Sequence, residues 1–312
     1  MKIPPSLAAW GKTLPLKNGD VFYYDSGTPP GGTQKPAVLL LHGLGDEADS
    51  WRHLMPLLHA AGNRVIAPDL PGFGRSRAKR ANIRGQAAAA LALLEKAADG
   101  KPAVLAGNSM GALVAEAAAF RRPDLAGALI LIDGCFPMTG GPGTGMTLLS
   151  AIFPFAGRRW YRSLRADHEG AWRSLYPFYG DLDAMSAEDR EFLRERVVER
   201  VESRSQERGY FTALRSFAAA GIFSGGRFSR RLAAFPGKIL LVWGEKDAVI
   251  PRETAKAVLA LRNGTEIKTI QGAGHLPQQE RPLETAEAIL SFLADLPFFK
   301  VPNQDFRQNV SG

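Results

Sequence analysis

Short strand-like runs, most of them apolar, alternate with helical segments along the chain. The runs lie at residues 37–41, 64–67, 103–106, 128–132, 239–243 and 266–270. Helical segments separate most of them, at residues 50–61, 81–98, 110–121, 252–261 and 283–294. A strand that is apolar at every position has both faces buried, which is typical of a parallel sheet covered by helices. The alternation therefore predicts an α/β fold with a doubly wound, mostly parallel sheet.

The strand rhythm stops at Gly134 and resumes at Lys238. The intervening residues open with a glycine- and proline-rich stretch at 139–145 and continue with aromatic and arginine-rich helical segments. We expect one sheet interrupted by one helical insertion: a first core part over 1–134, the insertion over 135–235, and a second core part over 236–312. The aromatic residues of the insertion are expected to pack against the sheet part and to line an apolar pocket.

The composition excludes several classes of protein. An apolar content of 45% is incompatible with disorder, and Cys135 stands alone, which excludes a disulfide scaffold. No apolar run approaches the roughly 20 residues that span a bilayer, and the first residues contain no continuous apolar segment typical of a secretory signal. We therefore expect a cytoplasmic protein without an integral membrane segment.

The net charge of +8 comes from 39 basic and 31 acidic residues. Residues 140–235 contribute half of this excess, with 15 arginines, 11 acidic residues and no lysine. No block of like charges and no zinc-finger spacing accompanies it, so nucleic acid is not an expected partner. The distribution raises a narrower question, which is whether an arginine of the insertion binds a substrate carboxylate.

The most specific motif is Gly107-Asn108-Ser109-Met110-Gly111, which stands between a strand and a helix. A serine in such a strand-to-helix turn is lifted above the sheet edge, and the flanking glycines permit the close backbone approach. The turn also places the Met110 N–H at a helix N-terminus, where it can stabilise an oxyanion. We predict that Ser109 is a nucleophile; the alternative is a serine that caps the helix.

A serine nucleophile needs a base that is held by an acid. His275 follows the last predicted strand among small neighbours and is the predicted base. Asp247, which follows the strand 239–243, is the predicted acid. Asp133 and Glu245 remain alternatives because both also follow strands whose carboxyl ends meet at the same sheet edge.

A second oxyanion donor is expected in the loop after the strand 37–41. The glycines of His42-Gly43-Leu44-Gly45 allow backbone N–H groups to turn inward, and we predict that the Leu44 N–H is the donor. His42 is expected to brace this loop by hydrogen bonding.

Taken together, these motifs resemble the α/β-hydrolase superfamily. The order Ser109…Asp247…His275, the loop 42–45 and the stretch 69–76 (DLPGFGRS) carry the resemblance, which extends from about residue 21 to 293. The insertion at 135–235 looks like the helical cap of that superfamily. Within it, the motifs are most similar to bacterial lipases and esterases and to meta-cleavage-product hydrolases, which break carbon–carbon bonds.

The resemblance implies a carboxylic-ester hydrolase that works through an acyl-enzyme on apolar acyl or aryl substrates, without a metal or an organic cofactor. A serine at position 109 argues against epoxide hydrolases and haloalkane dehalogenases, which carry aspartate there. Carbon–carbon hydrolases commonly place Trp after the base, where this chain has Leu276, but this alternative stays open.

A distant alternative is a nucleotide-dependent oxidoreductase. Residues 43–48 (GLGDEA) fit G-x-G-x-x-A after a strand, and Asp69 ends the next strand, near the position of a ribose-binding acid. However, the strand before this motif is not the first of the chain, and the loop is better used as an oxyanion turn.

Two arginine-rich segments of the insertion have no assigned role. The spacing of residues 188–204 predicts an amphipathic helix, and we interpret its arginines as a solvated face. Residues 158–165 interleave arginines with Trp160 and Tyr161. We expect packed aromatic rings and solvated arginines there, rather than a site for an anion or a membrane surface.

Overall fold

The computed structural model describes residues 1–29, 32, 35–98, 100–135 and 154–296, with the backbone alone over 222–225. Eight strands are present in this part of the chain: β1 (Gly11–Leu14), β2 (Val21–Asp25), β3 (Val38–Leu41), β4 (Val65–Pro68), β5 (Ala103–Asn108), β6 (Ala126–Ile132), β7 (Lys238–Gly244) and β8 (Glu266–Ile270). The α-helices are α1 (Leu54–Ala60), α2 (Ile83–Ala97), α3 (Met110–Arg121), α4 (Pro154–Ser163), α5 (His168–Arg173), α6 (Ala187–Glu202), α7 (Arg204–Ala233), α8 (Arg252–Leu261), α9 (Pro277–Glu280) and α10 (Pro282–Ala294). None of the described helices is long and apolar enough to cross a membrane.

The strands form one sheet in the order β1-β2-β4-β3-β5-β6-β7-β8. The pairs β1–β2 and β2–β4 are antiparallel, and all other neighbours are parallel. Every residue of β3, β4 and β5 is buried, as the apolar runs predicted. The predicted mostly parallel, doubly wound sheet is confirmed, whereas β1, which contains only one apolar side chain, was not predicted.

Two apolar clusters cover the two faces of the sheet. Alternate residues of β3 point to opposite faces, so that Leu39 and Leu41 belong to one cluster and Val38 and Leu40 to the other. The first cluster includes side chains of α2, α3 and α8, and the second includes side chains of α1 and α10. These helices fix the sheet, and the loops at its carboxyl edge are therefore built on a rigid support.

The described part of the insertion, between β6 and β7, is helical and contains α4 to α7. Two small apolar clusters hold these helices together, one around Phe211 and Leu214 and the other around Trp172 and Leu182. The predicted glycine- and proline-rich opening, 139–145, lies outside the described residues. Tyr161 is buried as expected, but Phe155 and Trp160 are exposed, so the expectation of packed aromatic rings is wrong for those two residues.

The solvated-face interpretation of residues 188–204 is wrong for two arginines of α6. The Arg196 side chain is only 3% exposed and forms ion pairs with Glu199 and Asp49. Arg200 is 13% exposed and contacts carboxylates of the loop that follows β3. Their partners include acidic residues of the sheet part, about 150 positions away in the sequence, which the charge pattern of the helix itself does not reveal.

Candidate active site

Ser109 occupies the tight turn between β5 and α3. Its φ is +54°, and it is one of two non-glycine residues with positive φ in the described chain. The turn is possible only because small residues surround it. A Cβ at Gly107 would overlap the backbone of Gly111, and a Cβ at Gly111 would overlap the carbonyl of Leu41. A strained backbone of this kind is characteristic of functional positions, and it presents the serine at the carboxyl edge of the sheet.

His275 and Asp247 form a buried pair at the same edge. Their side chains are 3% and 1% exposed, and His275 Nδ1 lies 3.0 Å from Asp247 Oδ2. The other oxygen of Asp247 accepts hydrogen bonds from the N–H groups of Val249 and Ile250, at 2.7 and 3.1 Å. Burial acts to raise the pKa of Asp247, but His275 and the two N–H groups outweigh it and lower that pKa. Asp247 is therefore an anion poised to hold the imidazole.

The two alternative acids make other contacts. Glu245 accepts a hydrogen bond from the Gly272 N–H at 2.9 Å and is exposed. Asp133 accepts one from the Gly244 N–H at 2.8 Å and is fully buried. Of the three carboxylates, Asp247 is the one that contacts His275.

Hydrogen bonds tie the His275 loop to the turn of the serine and to the insertion. Asn108 Nδ2 donates to the carbonyl oxygen of His275 at 3.0 Å, and the His275 N–H donates to that of Phe178 at 2.8 Å. In the described part of the chain the Ser109 hydroxyl makes no hydrogen bond. A hydrogen bond between a nucleophile and its base often forms only in the complex with substrate, so the absence of this bond is compatible with Ser109 and His275 acting together.

The loop after β3 lies beside Ser109, as predicted. A Cβ at Gly43 would lie 3.5 Å from Ser109 Cβ. Within the described residues, neither the Leu44 N–H nor the Met110 N–H donates to another group of the protein. Met110 is the first residue of α3, where a backbone N–H has no partner inside the helix. A backbone N–H that donates to no other group is available to an oxyanion, and Met110 directly follows Ser109.

His42 braces this loop as the sequence analysis expected. The ring is fully buried, with Nδ1 2.8 Å from the carbonyl oxygen of Gly43 and Nε2 2.9 Å from the backbone nitrogen of Leu70. Because the Leu70 N–H needs an acceptor, Nε2 is unprotonated and Nδ1 carries the hydrogen. Burial lowers the pKa of His42, which agrees with a neutral, structural imidazole.

Sequence reasoning missed the carboxylates that anchor the other end of the loop. Arg200 of α6 donates to both oxygens of Glu47, at 2.7 and 2.6 Å, and also contacts Asp46. These acids directly follow Gly45, so the insertion holds the loop of Leu44 by a buried ion pair. The one local signal is the adjacent acidic pair Asp46-Glu47, which directly follows the glycines of the loop.

The features that suggested a dinucleotide site have a structural use. Asp69 is fully buried and accepts hydrogen bonds from the N–H groups of Ala48 and Arg75, at 2.8 and 2.7 Å. Burial raises the pKa of Asp69 to about 7. A carboxylate enclosed in this way is not available to a ribose.

Comparison with known proteins agrees with this geometry. A model of the alpha/beta hydrolase family matches residues 38–288. The chain belongs to the alpha/beta hydrolase family and is a hydrolase. The resemblance stated from its motifs is thereby confirmed.

Among the proteins that this chain resembles are hydrolases of meta-cleavage products and proteins described as lipases, the two classes that the motifs indicated. The chain is 28% identical over 275 residues to 2-hydroxy-6-oxononadienedioate/2-hydroxy-6-oxononatrienedioate hydrolase 2 of Pseudomonas putida, covering 84% of this chain and 89% of that protein. It is similar in structure to a putative lipase of Acinetobacter baumannii AYE, with a TM-score of 0.76, 19% identity, and coverage of 92% and 91%. It is also similar to a membrane phospholipase A that is a bacterial virulence factor, with a TM-score of 0.70, 25% identity, and coverage of 92% and 86%.

Proposed function

We propose that the protein is a serine hydrolase that cleaves carboxylic esters of apolar acyl or aryl substrates through an acyl-enzyme. The observation that carries the proposal is the arrangement at one sheet edge. Ser109 stands in a turn with φ +54° at the carboxyl edge of the sheet, and the buried His275–Asp247 pair lies at the same edge. Within the described residues, the Leu44 and Met110 N–H groups donate to no other group of the protein. In this proposal the insertion 135–235 is the cap over the site.

Each group of the arrangement has one task. Ser109 Oγ attacks the ester carbonyl while His275 Nε2 takes its proton, and Asp247 stabilises the charged imidazole and fixes its tautomer. The Leu44 and Met110 N–H groups donate to the oxyanion, each contributing on the order of 10² to 10³ in rate. His275 then protonates the leaving alcohol. Water, deprotonated by His275, attacks the acyl-enzyme. The acyl C–Oγ bond then breaks, His275 returns the proton to Ser109 Oγ, and the acid is released.

The surroundings of the site favour a neutral, apolar substrate. The Phe178 ring centroid lies 6.0 Å from that of His275, and a Cβ at Gly45 would lie 3.3 Å from the Tyr210 ring. Arg196 and Arg200, whose side chains are 3% and 13% exposed, already pair with carboxylates of the protein. A buried arginine that is neutralised in this way does not provide a site for a substrate carboxylate.

Carbon–carbon hydrolysis of a meta-cleavage product is the second candidate. The similarity to the Pseudomonas putida hydrolase, whose name specifies a 2-hydroxy-6-oxo-dienedioate or -trienedioate, favours it. Leu276, directly after the base, departs from the tryptophan that is common in those enzymes.

A comparison of substrates tests the proposal. Hydrolysis rates would be measured for a series of p-nitrophenyl esters of increasing acyl length, and for a 2-hydroxy-6-oxo-dienoate. We expect kcat/KM to be highest for an ester and to vary with acyl length, because an apolar pocket discriminates by size. Selective turnover of the dienoate would contradict the ester proposal and favour carbon–carbon cleavage.

A further inference from the structure

A second buried carboxyl group lies next to Asp247. Asp133 directly follows β6, which is the neighbour of β7 in the sheet. Asp133 is fully buried, and its φ is +46°. Its backbone N–H donates to the Val242 carbonyl at 2.9 Å, and its Oδ1 accepts from the Gly244 N–H at 2.8 Å. Oδ2 is buried and receives no hydrogen bond from any N–H or hydroxyl donor of the described residues. Gly244 joins the two acids, since its N–H donates to Asp133 Oδ1 and its carbonyl oxygen accepts from the Asp247 N–H at 3.2 Å. The two side chains are therefore neighbours, and the charge of Asp247 acts on Asp133.

Two carboxylates this close in a buried place cannot both be ionised without a large electrostatic penalty. Asp247 accepts from three donors, namely His275 and the N–H groups of Val249 and Ile250, and all of them favour its anion. Asp133 accepts from one. At most one of the two carboxyl groups is ionised, and the donors favour Asp247 as the anion. Asp133 is therefore the group that keeps its proton.

The other charged groups near Asp133 act in the same direction. Burial raises the pKa of Asp133 well above its usual range, and the negative charges of Asp247 and Glu280 raise it further. On its other side Asp133 faces the Cys135 thiol, whose pKa burial also raises, so this neighbour is neutral. The imidazole of His275 contacts Asp247, and no hydrogen bond joins it to Asp133 within the described residues.

We propose that Asp133 is a neutral carboxylic acid whose hydroxyl donates a hydrogen bond to Asp247 and so positions this carboxylate against His275. The catalytic part of this inference depends on the proposed function, whereas the protonation of Asp133 does not. Asp133 is a positioning residue, since it contacts Asp247 and not the reacting atoms.

The substitution Asp133→Asn distinguishes a neutral from an ionised Asp133. An asparagine has the same shape, tolerates positive φ, keeps an oxygen for the Gly244 N–H and offers an N–H to Asp247. If Asp133 is neutral, Asp133→Asn retains activity and leaves the acidic limb of the kcat/KM profile in place. If Asp133 were an anion that helps to hold the charged imidazole, removing its charge would move that limb to lower pH by about one unit. That shift, or a crippled Asp133→Asn enzyme, would overturn the proposal.

Asp133→Ala tests the positioning role, because it removes the donor. We expect kcat to fall about 10- to 100-fold, the order of loss that a misplaced catalytic group causes. The acidic limb should move to higher pH, since the Asp247 anion, without its donor, holds the charged imidazole more tightly. If the rate falls only in proportion to the fraction of folded protein, and the acidic limb of the kcat/KM profile stays in place, Asp133 has a structural role alone. That outcome would contradict the positioning role.

Infrared spectroscopy tests protonation without any substrate. The difference spectrum of wild type minus Asp133→Asn at neutral pH should contain the C=O stretching band of a protonated carboxyl group. The difference spectrum of wild type minus Glu280→Gln serves as a control, because it identifies any C=O stretching band that comes from Glu280 and not from Asp133. Absence of the Asp133 band would overturn the proposal even in an active esterase, and its presence would support it even if the ester proposal failed.

Discussion

Arg200 on α6 donates to both carboxylate oxygens of Glu47, three residues after Leu44. The Glu47 side chain is fully buried and that of Arg200 is 13% exposed, so water screens this ion pair little. The insertion thereby fixes the loop that provides a proposed oxyanion donor.

Replacement of Arg200 should weaken both folding and catalysis. Arg200→Met leaves Glu47 buried and unpaired, which we expect to lower the free energy of unfolding by about 3 to 5 kcal/mol. The Leu44 N–H should also lose its fixed position, so kcat for a p-nitrophenyl ester should fall. Urea unfolding and initial rates measure the two effects.

The matched control is Arg194→Met on the same helix. Arg194 pairs with Glu169 at 3.1 Å, but the two side chains are 44% and 57% exposed. Exposed pairs contribute about 0 to 1 kcal/mol, and the Arg194 guanidinium also lies 4.3 Å from the centroid of the Trp172 ring. This variant should therefore lose no more than about 2 kcal/mol and should keep its kcat. Equal losses in both variants would show that the buried pair has no special role.

Glu280 joins the insertion to the loop of the base. Its Oε1 accepts from the Gly274 N–H at 2.8 Å and its Oε2 from the Gly180 N–H at 2.7 Å. Glu280→Gln keeps only one of these two acceptors, which should displace the loop of His275. We therefore expect kcat to fall about tenfold and KM to change less. Steady-state kinetics check this, with Glu284→Gln, an exposed residue, as the control. A loss confined to KM would contradict the positioning role.

Asp25 should make the stability of the protein depend on pH. Burial acts to raise the pKa of Asp25, but hydrogen bonds from Arg64 and Lys12 lower it from 3.8 to about 2. A lowered pKa in the folded state means that the stabilisation is present above about pH 4 and is lost as the pH falls through about 2. Asp25→Asn should therefore unfold more easily at neutral pH by about 2 kcal/mol, and the difference should shrink as the pH falls.

Urea unfolding at neutral and acidic pH measures this dependence. Glu287→Gln, an exposed carboxylate on α10, is the control and should change stability by no more than about 0.5 kcal/mol. A difference between wild type and Asp25→Asn that stays constant down to pH 2 would contradict the linkage.

The sequence was sufficient to predict the core of the fold and the proposed triad. Apolar runs with both faces buried identify β3 to β7, and the carboxyl ends of parallel strands meet at one edge. Ser109 directly follows β5, Asp247 lies three residues after β7, and His275 lies five residues after β8. Each stands in the loop after a strand, where local patterns place it. The glycines around Ser109 are a further local signal.

Contacts between distant segments could not be predicted in this way. Arg200 and Glu47 are 153 residues apart, and Glu280 and Gly180 are 100 apart. Charge patterns indicate that an arginine lies on one face of a helix, but not which surface that face meets. The same reason explains why Arg196 was interpreted as solvated, and why Asp133 was considered only as a competitor of Asp247.

The central claim is that Ser109 is the nucleophile of an ester hydrolase. The most direct measurement compares wild type with Ser109→Ala in two assays. The first is hydrolysis of a p-nitrophenyl ester. The second is mass spectrometry of each protein after treatment with a fluorophosphonate, which labels activated serines. We expect wild type to hydrolyse the ester and gain one label on Ser109. Ser109→Ala should keep its circular dichroism and thermal unfolding but lose both reactions, because no other group can form the acyl-enzyme. Retained ester hydrolysis in folded Ser109→Ala, or labelling at another residue, would contradict the account.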